Sequence, residues 1–134
     1  MTYIGTPWKH QGQLRGYGID CAHFVANVIN EARASSPPIE IPHNYRPQED
    51  GKLMSALLGA NAEFIAIEDR QAGDVLALCD EAIREPDAPR HLAFVKEVTA
   101  TTTFIIHAGA GGVVCHRMNA AWNRRIHSVW RAHE

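Results

Sequence analysis

The chain is predicted to be a single α+β domain, with helices first and an antiparallel sheet after. Three features carry that expectation. Apolar residues at Cys21, Phe24, Val25, Val28, Ile29 and Ala32 repeat at helical spacing, and Leu53, Met54, Leu57 and Leu58 do so again over 48–60. From Gly73 onward the apolar runs shorten to strand length. Turn residues such as Gly109-Ala110-Gly111-Gly112 separate them.

Taken in order, residues 1–18 hold Pro7 and glycines at 5, 12, 16 and 18, and read as an irregular segment. A helix is expected from Asp20 to about Ala34. Ser35 to Pro47 contains Ser-Ser-Pro-Pro and two further prolines, so an extended connection follows. Phe64, Ile65 and Ile67 suggest a short extended piece. Strands are expected over Val75–Cys79, His91–Val98, Thr103–Ala108, Val113–Met118 and Ile126–Ala132. Asp80–Arg90 reads as a loop and Asn119–Arg125 as one helical turn.

With 134 residues, 46% hydrophobic and 21% charged, the chain suits one soluble domain with its own core. A net charge of -2 gives no reason to expect nucleic acid or an anionic membrane as partner. No apolar run approaches the length of a membrane span. The start lacks the basic-then-apolar pattern of a signal peptide, so synthesis in the cytoplasm is expected. The three cysteines show no CxxC spacing and are not expected to form a zinc site; no cofactor is implied. Cys79 and Cys115 fall in apolar runs and read as structural thiols.

Cys21 is different. It stands where the glycine-rich segment becomes a helix, and unpaired N–H groups at a helix start favour an anion. A thiol there is expected to ionise readily and to act as a nucleophile. Such a nucleophile needs a base. If Val98-Thr99-Ala100 connects two strands, His91 and His107 face each other, each eight residues from Thr99. A register slip of two leaves them diagonal neighbours; a slip of one parts them onto opposite faces. His91 is assigned as base and His107 as the group that orients it. The Cys21 N–H, with Ala22 nearby, is the expected oxyanion donor, and any assisting side chain comes from Trp8–Gly12. The plainer readings are a core cysteine and two unremarkable strand histidines, or a metal pair lacking further ligands.

These segments resemble the NlpC/P60 family of cysteine peptidases: Gly5-Thr6-Pro7-Trp8-Lys9-His10-Gln11-Gly12, Asp20-Cys21-Ala22, Ala72-Gly73-Asp74-Val75-Leu76, His91-Leu92-Ala93-Phe94-Val95 and Ile105-Ile106-His107-Ala108. His10-Gln11-Gly12 is similar to the phage and prophage branch. The resemblance implies a circularly permuted papain-like fold. It also implies a Cys21-His91-His107 triad acting on peptidoglycan stem peptides, commonly at γ-D-glutamyl–diamino acid bonds. It places Asp20, Trp8, His10 and Ala22 on the substrate side, with Asp20 near the free amine of the stem peptide. Trp8, Ala22 and His23 replace the family's usual tyrosine, serine and glycine; His23 is expected at the cleft rim or surface. The helix that usually precedes the first motif is expected to be truncated. A virion-associated enzyme acting on the cell wall, with other phage tail proteins as partners, is the leading expectation. A weakly active or inactive tail scaffold is the alternative, and an acyltransferase the third.

Overall fold

The computed structural model describes residues 3–10, 12–33, 37–41, 51–79 and 89–133, leaving aside the side chains of 51–53. The expected α+β order holds. Two short strands, β1 (Gln13–Leu14) and β2 (Gly18–Ile19), precede α1 (Cys21–Ala32) and α2 (Gly51–Asn61). Then come β3 (Ala62–Ile65), a 3-10 turn (Ile67–Asp69), β4 (Val75–Leu78), β5 (His91–Val98) and β6 (Thr103–Gly109). The chain continues through β7 (Gly112–Arg117), α3 (Ala120–Asn123) and β8 (Ile126–Ala132). Strands 3 to 8 form one antiparallel sheet in the order β3-β8-β4-β5-β6-β7. Most of the residues in the expected connections Ser35–Pro47 and Asp80–Arg90 lie outside the described residues, as do residues 48–50 of the expected second helix.

α1 starts where it does because Asp20 caps it. The carboxylate Oδ1 accepts from the His23 backbone N–H at 2.9 Å. The buried stripe then packs on one sheet face, with Phe24 edge-on between Tyr3 (5.3 Å) and Phe94 (5.6 Å). Ile19, Val25, Ile29, Met54, Leu57, Leu58, Ala77 and Leu92 complete that core. A second apolar cluster of Leu76, Leu78, Ala93, Val95, Ile105, Met118 and Val129 includes the opposite faces of the central strands. Both faces of β4 are therefore covered, which is why its sequence is a continuous apolar run without alternation. Each fully buried Leu, Ile or Val contributes about 1.5–3 kcal/mol relative to exposure. Phe64 ends on the solvent side of edge strand β3 and meets Trp130 edge-on at 5.7 Å.

The glycine-rich start is more ordered than its composition suggests. Gly5 N–H donates to Val113 O (2.9 Å) and Val113 N–H to Thr6 O (2.8 Å), which ties the segment to the β6–β7 turn. Gly112 has φ +92°, and a Cβ there would lie 2.7 Å from Thr6 O. At Gly12 a Cβ would lie 2.6 Å from Gly18 O. The segment thereby passes close in front of the start of α1, with Trp8 bridged to Ile19.

Candidate active site

The placement of the two expected histidines rests on how β5 meets β6. Thr99 shapes the connection: its N–H donates to Thr102 O (2.8 Å), and its Oγ1 accepts from Thr102 N–H (3.1 Å). The turn is thus centred later than expected, and Val98 pairs with Thr103. That alone shifts the register by three, an odd number, which would send the two rings to opposite faces. A bulge between Val95 and Glu97 takes one residue back, so Val95 pairs with Ile105 and Phe94 with Ile106. The net slip is two. The rings are diagonal neighbours on one face, and His91 Nε2 meets His107 Nδ1 at 2.7 Å. This is a hydrogen-bond distance, shorter than the ~3.3 Å kept by two nitrogens on one tetrahedral zinc. Among the described residues no group of three or more His, Cys, Asp or Glu is arranged to hold a metal.

Gly109 makes room for this pair. A Cβ on it would stand 3.0 Å from Cε1 and 3.3 Å from Nδ1 of His107. Gly109→Ala is expected to push the His107 ring by a few tenths of an ångström and lower turnover severalfold with the fold intact. Unchanged turnover, with a crystal structure showing the ring unmoved, would refute this role.

Cys21 is half-buried at the first position of α1. Its sulfur lies within hydrogen-bond reach of the Leu92 backbone N–H, one residue beyond His91. Strand alternation explains why that amide is free to serve. Val95 N–H goes to Asp74 O on the β4 side (2.8 Å), so Phe94 and Leu92 turn theirs toward β6. The β5–β6 pairing starts only at Phe94 and Ile106. The Cys21 sulfur thus meets β5 one residue from His91, and the His91–His107 pair lies where β5 and β6 part.

The expected ready ionisation of Cys21 is corrected by its surroundings. Burial pushes the thiol up to about 12, and the adjacent Asp20 carboxylate adds to the rise. The amides of Leu92, Ala22 and Cys21 pull the other way without prevailing. The helix start does favour an anion, but Asp20 already supplies one. On the other side, burial lowers His91 to about 3 and His107 to about 4, with neighbouring His107, Arg125 and His116 adding to the first and His116 and Arg125 to the second. At neutral pH the site rests as thiol and neutral imidazoles. Asp20→Asn keeps a capping oxygen and removes the charge. The pH at which iodoacetamide labels Cys21 is therefore expected to fall in this variant, and an unmoved labelling profile would count against the electrostatic role of Asp20.

The other expected substrate-side residues belong to α1 and the segment before it. Asp20 is 4% exposed, and Ala22 is buried beneath it. Trp8 is half-buried against the α1 side of the core, and His10 is half-buried on the preceding loop. His23 departs from expectation. Rather than a rim or surface residue it is 4% exposed, because its ring Nδ1–H also donates to Asp20 Oδ1 (3.1 Å).

Three residues escaped the sequence reading. His116 on β7 places Nε2 2.9 Å from His107 Nε2, and its Nδ1 lies 3.0 Å from Arg117 O. Trp122, on the turn of α3 capped by Asn119, sits against both rings, 5.2 Å from His107 and 4.8 Å from His116. Arg125 stacks its guanidinium 4.3 Å above Trp122 and donates to Cys79 O. A signal for His116 existed in the tight Ala110-Gly111 turn, which pairs Gly109 with Gly112 and so sets Ile105 opposite His116, on the His107 face.

No family model and no curated protein matches the chain. Among solved structures it is similar to one titled "The crystal structure of Ly7917 with the hydrolyzing product of MDP", with TM-score 0.54 and 9% sequence identity. The two share a fold. The match covers 84% of this chain and 53% of that one, so this chain spans about half the length of that protein. An α+β architecture consistent with a papain-like peptidase is what the likeness establishes.

Proposed function

We propose that this chain is a cysteine hydrolase that cuts amide bonds in bacterial cell-wall stem peptides, in the manner of the NlpC/P60 family. The observation that supports the reading is a helix-start cysteine whose sulfur meets the amide next to His91, together with the His91–His107 hydrogen bond where two strands part. The fold neighbour, solved with the hydrolyzing product of MDP, supports a peptidoglycan-derived substrate.

In this reading the Cys21 thiol gives its proton to the free ring nitrogen of His91 as sulfur attacks the scissile carbonyl carbon. The oxyanion accepts from the Cys21 and Ala22 N–H groups. His91 then protonates the departing amine, leaving a thioester. Water, deprotonated by His91, attacks the thioester carbonyl; the acid leaves and the thiol is restored. Because the thiol is protonated at rest, proton transfer belongs to the attack rather than preceding it.

The γ-D-glutamyl–diamino acid bond is the proposed cleavage point, with Asp20, Trp8 and His10 on the substrate side and a phage tail as the setting. A tail scaffold with an idle site is the second reading, favoured by the elevated thiol. Purified peptidoglycan of several chemotypes distinguishes the two. New amino groups should appear, and mass spectrometry of the fragments should place the cut after D-glutamate. A protein inert on every chemotype would sink the hydrolase reading.

A further inference from the structure

The His91–His107 pair does not end at His107. Beyond it stands His116, and beyond His116 a backbone carbonyl, giving a continuous line of contacts at 2.7, 2.9 and 3.0 Å. The last member fixes the direction of the whole line. A carbonyl oxygen can only accept, so Nδ1 of His116 carries a proton and donates it to Arg117 O. In a neutral ring Nε2 of His116 is then an acceptor, which requires His107 to donate from its own Nε2. His107 Nδ1 is left as an acceptor, which requires His91 to donate from Nε2. The one ring nitrogen in the line with an unshared lone pair is Nδ1 of His91.

We infer that His116 is a positioning residue: relaying the polarity of the Arg117 carbonyl, it locks His107 and His91 in the tautomers that leave His91 Nδ1 free as base. The assignment rests on the hydrolase reading for its catalytic meaning, but the tautomers themselves do not. Burial of His91 and His107 keeps each ring at a single proton near neutral pH. Trp122 packs edge-on against His107 and tilted against His116, beside the bond between them. Without His116, the buried His107 Nε2 has no partner, and nothing opposes the inverted tautomer, in which His107 donates to His91 and the base nitrogen of His91 becomes protonated.

Two variants and one spectroscopic measurement test the inference. His116→Phe keeps a flat ring against Trp122 but cannot accept a hydrogen bond. His116→Gln can place an amide oxygen near the position of Nε2. In the wild type, ¹⁵N shifts of the imidazoles at pH 7 should report Nε2–H for His91 and His107, and Nδ1–H for His116. In His116→Phe, His107 should show mixed tautomers. Its kcat on peptidoglycan fragments should fall about 10–100-fold, the range for partners that orient a reacting group, with KM within about twofold. His116→Gln should restore most of both. A wild-type His107 carrying its proton on Nδ1 would overturn the inference, as would His116→Phe with unchanged shifts and kcat. Should the wild type prove inert on every wall tested, the hydrolase reading fails, and the ¹⁵N shifts still decide the tautomers alone.

Discussion

Cys21→Ala is expected to reduce release of amino groups from peptidoglycan by at least about 10³-fold while the protein stays folded. In the proposed mechanism the loss is large because the covalent step has no substitute: the oxyanion donors and the histidine pair remain, but nothing attacks the carbonyl. Stability should change by no more than about 1 kcal/mol, since the side chain is small, half-buried and at the first position of a helix where Ala is well tolerated. Parallel measurement of turnover and of the melting temperature checks both halves. Retained activity in this variant would assign the chemistry elsewhere in the molecule. Equal inertness of variant and wild type would favour the scaffold.

The second large effect is on stability in mild acid. An unfolded histidine takes up its proton near pH 6.5, whereas burial holds His91 at about 3 and His107 at about 4 in the folded chain. Between those values the unfolded state binds more protons than the folded state, so stability rises with pH through this window. It reaches its plateau above about pH 6.5 and is lost progressively as the pH falls toward 4. The melting temperature should therefore drop by several degrees between pH 7 and pH 5, a range above most carboxylate titrations. His107→Phe should flatten that slope. A melting temperature constant from pH 7 to 4.5 would show that the rings are far better hydrated than their burial indicates.

How far these features could be read beforehand varies from residue to residue. The α1 stripe from Phe24 to Ile29 and the run Val75–Leu78 were legible because their patterns follow from burial on one face and on two. Strand β8 matched its expected span of Ile126–Ala132 for the same reason. The pairing of His91 with His107 was legible only in parity. The sequence around Thr99 does not announce where its hydroxyl will close the turn, nor that an extra residue at Lys96 will correct the register. The raised thiol is not legible from the helix dipole alone, because the Asp20 charge occupies the same place and the sulfur is buried against β5. His23 was placed outward by helical phase, yet its neighbour three residues back draws the ring inward. His116 escaped because it belongs to a strand whose only visible trait was its apolar first half.

One consequence follows from the final acceptor being a main-chain oxygen at residue 117. Alanine scanning would pass over it in silence: Arg117→Ala leaves the peptide group, and with it the polarity of every ring upstream, where it was. Only a change to the peptide linkage itself, such as an ester introduced by chemical synthesis between residues 117 and 118 to weaken that oxygen as an acceptor, would reach the element that tells the imidazoles which way to point.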